Sequence, residues 1–384
     1  MFTSFQQKTR FKLRIMAFVL ELRDFNIVNF QCPRMVKAFF SLQLYVLFFV
    51  GFHSPAQAQT QAAVKRGGKW FFIDKAGTIV SQKLYDSVGE RFADGLVPVM
   101  LNKSWGYANN TGKLVIKNSY QQAHTFHKGK ALVKKQGNWL MIDTKGKTIS
   151  KIAEEVTAIE NMQEGIALAE TKNGPAYILP SGKILRPGKE FADFQPFSMG
   201  LARVKKGGKY GFIDTSGNLK INCTYDAAAN FLDNITSVQV GGFYRLINMR
   251  EETIEQLPHM YDVVSFNRGI AVLPTPISYT VYRAGGTKIK TDLPYGDNLV
   301  SSYVYPFSED IARFFNHSVQ AGFRFGYVLP DGKLLNAYRY QWARDFSNGL
   351  AAVKLNGYYG FINPKGEMVI DAIYDDALNF YPVR

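Results

Sequence analysis

The feature that most constrains this chain is a self-similarity with a period of about 35 residues. "GKYGFIDTSGNLKI" from Gly208 returns as "GYYGFINPKGEMVI" from Gly357. Looser copies begin at Gly68, Lys103, Gly137, Gly174 and Phe323. The turn glycines Gly77, Gly112, Gly146, Gly182 and Gly217 are spaced 35, 34, 36 and 35 residues apart, and Gly332 and Gly366 continue the series. Between them the pattern decays, although "GGFYRLINMREETI" from Gly241 and "SYTVYRAGGTKI" from Ser278 fit two degenerate units. The count is about nine, with a longer insertion before the eighth. A second motif keeps a fixed phase between the copies: "YDSVGERFADGLVPV" from Tyr85, "YDAAANFLDNITSV" from Tyr225, "YQWARDFSNGLAAV" from Tyr340 and "YDDALNF" from Tyr374. A chain with such a period is built from one small unit stacked on itself, because no single unit can bury its own apolar face.

The unit is short and β-rich. "GLARV" alternates in the period-two manner of a half-buried strand. "KKGGK" is a turn, and "YGFID" is a second strand whose aromatic and β-branched residues suit a pleated surface. "DTSG" is a tight turn, opened by a side chain that bonds the following backbone and closed by glycine. "NLKI" is the third strand. The expected fold is therefore all-β: a tandem array of about nine three-stranded meanders of about 35 residues each, closed as a propeller or extended as a superhelical solenoid. The "YDxAxxF" segment reads as a turn, or a single helical turn, joining one meander to the next. Three residues after its Phe stands Gly95, Gly129, Gly200, Gly269 or Gly349, replaced elsewhere by Asn234 and Asp310. Those residue types tolerate the left-handed region, so positive φ is expected there.

These repeats resemble the WG repeat family, whose Trp-Gly pair stands intact at Trp105-Gly106 and becomes Trp70-Phe71, Trp139-Leu140, Tyr210-Gly211 or Tyr359-Gly360 elsewhere. The resemblance spans 64–384 and implies a tandem β-rich array. It implies no single activity.

The N-terminus reads as an export signal. Met35 and Lys37 lead into the apolar run Ala38–Phe52, and Ala56-Gln57-Ala58 offers a small-residue cleavage site, so 35–58 is expected to be a signal peptide. The run is shorter than the roughly 20 residues of a membrane span, so no transmembrane segment is expected in the mature chain. Residues 1–34 then come from a misplaced start or form an extended n-region, and 59–384 is the repeat array, degenerate over about 241–320. The expected location is the periplasm, the outer surface or the medium. Of the two cysteines, Cys32 precedes the cleavage site, leaving Cys223 without an internal disulfide partner.

Candidate chemistry is sparse. The glycines of "KKGGKYG" lie between strands rather than opening a helix, which argues against a phosphate loop. Trp70, Trp105 and Trp139 read as core residues by their repeated phase, with sugar stacking as the alternative. His124 and His127 in "HTFH" lack a third ligand nearby, and Asp74, Asp143, Asp214 and Asp331 are explained by turns rather than calcium. No cofactor and no metal are expected. The formal charge of +15 points to acidic partners. Lys65, Arg66, Lys69, Lys134, Lys135, Lys205, Lys206, Lys209 and Lys354 crowd the turn before the aromatic strand and would form a basic ridge if units stack in register. The expected function is an exported, non-catalytic scaffold that binds an envelope protein or an anionic polysaccharide. The alternative is a secreted carbohydrate-active enzyme or lectin with its site in a groove or central channel. The export signal disfavours nucleic acid, and nothing in the sequence bears on oligomeric state.

Overall fold

The computed structural model describes residues 59–383 except 82, 154–155, 161, 258–262, 265, 275–277, 285–286, 295–300 and 319–321. Residues 35–58, read from the sequence as a signal peptide, and residues 1–34 lie outside the described residues. Among the described residues every regular element is a β-strand, and no helix is long and apolar enough to cross a membrane.

The described strands form nine small antiparallel sheets, one per unit. The sequence left open whether they make a solenoid or a ring; they make a ring. The first sheet joins the two ends of the repeat region. Its Thr60–Arg66 strand pairs with Lys69–Ile73 on one side and with Asp376–Ala377 and Tyr381–Pro382 on the other. Nine buried clusters fill nine seams between consecutive sheets, and the last sets Ala62, Val64 and Ile73 against Ala352, Phe361 and Ile370. The protein is thus a β-propeller, and its blades are numbered here from the one containing Thr60–Arg66.

One expectation needs correction. In seven of the nine sheets the unit is a four-stranded blade, because the "YDxAxxF" linker is neither a simple turn nor helical; the sheets spanning 201–225 and 270–294 keep three strands. The linker's third and fourth residues pair with the strand that follows: Ser87–Val88 on Leu96–Leu101, Gln122–Ala123 on Lys130–Lys135, Trp342–Ala343 on Ala351–Leu355. The linker closes on a two-residue hairpin, as where Ala93 and Leu96 exchange both backbone hydrogen bonds at 2.9 and 3.0 Å. Such a turn needs positive φ at both central residues to match the strand twist. Asp94 and Gly95 adopt 51° and 74°, and Asn234 and Asp310, standing where glycine is absent, adopt 66° and 63°.

The linker's Tyr and Phe enter the core as expected. Tyr85, Phe126, Phe197 and Phe346 are at most 1% exposed. Each Phe meets the aromatic strand of the preceding blade edge-on, with centroids 4.7 Å apart for Tyr107–Phe126 and Tyr177–Phe197 and 4.8 Å for Phe212–Phe231. A ring buried this way contributes about 2 kcal/mol of transfer free energy, so the seams rather than the short strands hold the ring together. Tyr107 and Tyr327 each donate their hydroxyl to a linker carbonyl, of His124 and Arg344, at 2.8 Å, and burial pushes both phenols well above their usual pKa.

Candidate functional site

Among the described residues the blades present two kinds of turn at opposite ends of strands about six residues long. One end carries the hairpin before the aromatic strand. The other carries the turn after the linker Phe and a second turn, opened by Asp or Asn in blades 1, 2, 3, 5, 6 and 9 and by Leu in blades 4 and 8. In that second turn Asp74 accepts bonds from the amides of Ala76 and Thr78, both at 2.9 Å, while the Gly77 amide bonds the Asp74 carbonyl. Asp143 and Asp214 do the same. Asp331 differs from the sequence reading. Its turn is opened by Leu329, whose carbonyl takes the Gly332 amide, and Asp331 caps Lys333 instead.

All nine predicted ridge residues lie at the hairpin end, in blades 1, 3, 5 and 9. Lys103 and Lys172, not singled out in the sequence, put basic residues on the hairpins of blades 2 and 4 as well. Because the array closes, the ridge is an arc over six consecutive blades, from the ninth through the fifth. Within it, lysine stands across the strand pair from an aromatic residue: Lys65 opposite Trp70, Lys134 opposite Trp139, Lys205 opposite Tyr210, Lys354 opposite Tyr359. The Lys134, Lys205 and Lys354 ammonium groups stand 5.6, 4.9 and 5.4 Å from those ring centroids. Trp70 and Trp139 are buried and Trp105 half-buried, so these rings are core residues that the lysines cover.

The arc also holds carboxylates. Asp86 pairs with Lys69 at 2.5 Å and accepts the Asn102 amide at 2.7 Å; Asp226 pairs with Lys209 and accepts the Gly241 amide. The lysine, and then the amide, hold both carboxyls below their ordinary range. Lys69 and Lys209 are thus partly neutralised, whereas Lys134, Lys135, Lys205 and Lys354 make no carboxylate pair among the described residues.

At the opposite end, a cavity of about 420 Å³ is lined by Glu90, Arg91, Thr125, His127, Met162, Gln163 and Glu164, drawn from the linkers of blades 2, 3 and 4. It brings together two carboxylates from different units, the arrangement an enzyme would need. Glu164 is already engaged, however, accepting the Met199 and Gly200 amides of the next blade at 2.7 and 2.8 Å. Burial holds the His127 imidazole below its usual range, and His124 packs on Trp139 with centroids 5.4 Å apart. Among the described residues no group of three or more His, Cys, Asp or Glu side chains could hold a metal ion.

The Glu164 contact belongs to a series invisible at the one-unit period. Asp94 accepts the Gly129 amide at 2.7 Å, Asp233 the Arg268 amide, and Glu309 the Asn348 and Gly349 amides at 2.5 and 2.8 Å. Acid therefore clamps the seam after blades 2, 4, 6 and 8. The signal lay in the residue two after each linker Phe, or after Met162 where blade 4 lacks one: Asp94, Lys128, Glu164, Met199, Asp233, Arg268, Glu309, Asn348.

Blade 8 departs from the others. In blades 2, 3, 5 and 9 the linker glycine and the next turn glycine are 17 residues apart, but Asp310 and Gly332 are 22 apart. The extra residues lengthen the hairpin, whose strands run Ile311–Ser318 and Gly322–Val328. Where blades 1, 3, 5 and 9 pair lysine with an aromatic residue, this hairpin pairs Phe315 with Phe325, and Tyr303 lies opposite Phe315.

The model of the WG containing repeat family matches six segments, 70–104, 105–139, 180–210, 210–244, 325–359 and 359–381. No curated protein matches the sequence. Among solved structures, a eukaryotic initiation factor is similar at 8% identity and a TM-score of 0.49, over 83% of this chain and 98% of that one. Hsv2 of Kluyveromyces lactis is similar at 10% and 0.35, over 76% and 99%. A protein of unknown function from Bacteroides caccae is similar at 13% and 0.27, over 72% and 92%. At these scores the structures carry no argument about this chain. The repeat segments do: this chain belongs to the WG containing repeat family.

Proposed function

We propose that the protein is an exported, non-catalytic scaffold whose arc of basic hairpin turns binds an envelope protein or an anionic glycan. The observation that carries the reading is repetition. The same lysine-over-aromatic pair recurs in blades 1, 3, 5 and 9 at one end of the ring, which suits an extended ligand better than a single reacting bond. Binding of this kind is electrostatic at its rim and weakens as salt screens it. The test is retention of the protein on envelope fractions over a salt series. Changing Lys134, Lys135, Lys205 and Lys206 to Gln is expected to lower retention at low salt, and unchanged or salt-insensitive retention would remove the idea.

The second reading, a carbohydrate-active enzyme, draws support from the cavity that holds Glu90 and Glu164. It is disfavoured because both oxygens of the Glu164 carboxylate already accept backbone amides of the next blade, from Met199 and Gly200. Hydrolysis of a glycan panel that is abolished by Glu90→Gln would restore it.

A further inference from the structure

The linker of blade 2 breaks a plan kept elsewhere in the ring. In blades 3, 6 and 9 the fifth linker residue donates its amide to the strand that follows: His124 to Leu132, Ala229 to Ser237 and Arg344 to Ala352, at 2.9, 3.0 and 2.9 Å. One residue then leads to the buried Phe, and it is Thr125, Asn230 or Asp345. In blade 2 Gly89 makes the same bond, to Pro98 at 2.7 Å, and Phe92 still enters the core, 5.1 Å from Phe72. Two residues, Glu90 and Arg91, fill the single step between them. Because both ends of the step are fixed, the added residue has to stand out of the linker, and both side chains are exposed.

Glu90 and Arg91 line the cavity of about 420 Å³, whose wall also includes Thr125 and Met162. Met162 is 4% exposed and Thr125 8%, so these two form its inner wall. The Thr125 hydroxyl, on a residue so nearly enclosed, makes no hydrogen bond among the described residues. Glu90 and Arg91 make no ion pair or hydrogen bond among them either. The cavity thus offers an anion, a cation and a hydroxyl, all uncommitted, beside a Glu164 carboxylate whose two oxygens are already taken.

We infer that this cavity binds a small zwitterion of the amino-acid or dipeptide kind, its carboxylate on Arg91, its ammonium on Glu90 and a polar group on Thr125. The charges select the class. A ligand seated here strips water from both side chains, and a charge desolvated without a partner is costly. A simple anion would leave Glu90 unpaired and bring a further negative charge toward Glu164, and a simple cation would leave Arg91 unpaired. A neutral sugar would pair neither, and no Phe, Tyr or Trp ring among the described residues lines the cavity for it to stack on. A volume near the lower end of the roughly 300–1,000 Å³ of small-molecule sites suits a free molecule rather than a polymer. The cavity lies at the end of the ring opposite the basic arc, so the inference goes beyond the scaffold reading and does not depend on it.

The experiment is calorimetric titration of the purified protein with the common amino acids and with dialanine, each beside its des-amino and decarboxylated analogues. At least one amino acid or dialanine is expected to bind, about tenfold more tightly than either of its analogues. Arg91→Gln and Glu90→Gln should each weaken that binding about tenfold, and Thr125→Val severalfold. Deleting Glu90, which restores the one-residue step, should weaken it as Glu90→Gln does. Both charges are exposed, and an unchanged denaturant midpoint shows that the variants fold. Changing Lys134, Lys135, Lys205 and Lys206 to Gln should leave this binding as it is. Binding of no member of the set, a des-amino analogue that binds as tightly as its amino acid, or binding indifferent to Glu90 and Arg91 would overturn the inference. None of these outcomes touches envelope retention, so the scaffold reading stands or falls on its own test.

Discussion

Blades 2, 5 and 9 differ from blades 3 and 6 in one residue that explains the Trp-Gly motif. In the first set the third strand is seven residues long: Leu114–Tyr120, Leu219–Tyr225, Met368–Tyr374. It pairs with the aromatic strand through a shift in register, so that Tyr210 faces Tyr225 while Phe212 faces Ile221. Two extra residues bulge outward between those pairs, directly over Gly211. A Cβ at Gly211 would lie 2.6 Å from the Ile221 carbonyl oxygen, one at Gly360 2.5 Å from that of Ile370, and Gly106 meets the Ile116 carbonyl in the same way. Blades 3 and 6 have four-residue third strands, Thr148–Lys151 and Thr253–Gln256, and pair without that bulge. There the glycine is replaced by Leu140 and Arg245. The glycine thus serves a neighbouring backbone rather than its own φ, and it is dispensable wherever that backbone is shorter.

The comparison can be broken or sharpened by substitution. The largest effect should come from what both kinds of blade share. Phe126→Ala, at the seam between bulged blade 2 and flat blade 3, and Phe231→Ala, between blades 5 and 6, should each cost about 3–5 kcal/mol in denaturant unfolding. Equal losses at the two seams are expected. Next, Gly211→Ala or Gly360→Ala should cost about 3 kcal/mol, because the bulged strand must move or the ring seam must open. A loss below about 0.5 kcal/mol would show that the bulge adjusts freely and that the motif has another cause. Leu140→Gly, which writes the motif into a flat blade, should cost about 1 kcal/mol from backbone entropy and gain nothing in return.

The smallest effect concerns Asp86, entering a bulged blade, and Asp226, entering a flat one. Both carboxyls are lowered by lysine and amide contacts, so each stabilises the fold above the ordinary carboxylate range. That contribution is lost as pH falls through the lowered folded value. NMR titration should place both midpoints below the unpaired range, and Lys209→Met should raise that of Asp226 alone. Because the pairs are exposed, the difference between blades should be slight.

Much of the ring was legible in single residues. Turn glycines and their Asn and Asp replacements foretold positive φ at Gly95, Asn234 and Asp310, since few side chains accept that conformation. The fourth strand was not legible, because Ser87–Val88 and Asp376–Ala377 are too short to show alternation. Closure was equally hidden: nothing in "AAVKR" announces that its partner is the "DDA" of Asp375–Ala377 at the far end of the chain. The basic arc could be read from lysine spacing, but its two omitted members, Lys103 and Lys172, sit in units whose turns lack the double lysine. The aromatic pairing of the blade 8 hairpin escaped notice because five added residues hid the equivalence of Phe315 with Lys205.

The acidic clamps raise a question of parity. They occupy every second seam, so they are written in a unit of two blades, about 70 residues of sequence. Nine is odd. A pattern that alternates cannot close on itself around an odd ring, and somewhere two like neighbours must meet. That place is blade 1, where Pro382 holds the position that carries acid in blades 2, 4, 6 and 8. The ring cannot have been tiled from whole pairs; one blade stands single, and it is the blade sewn from both ends of the repeat.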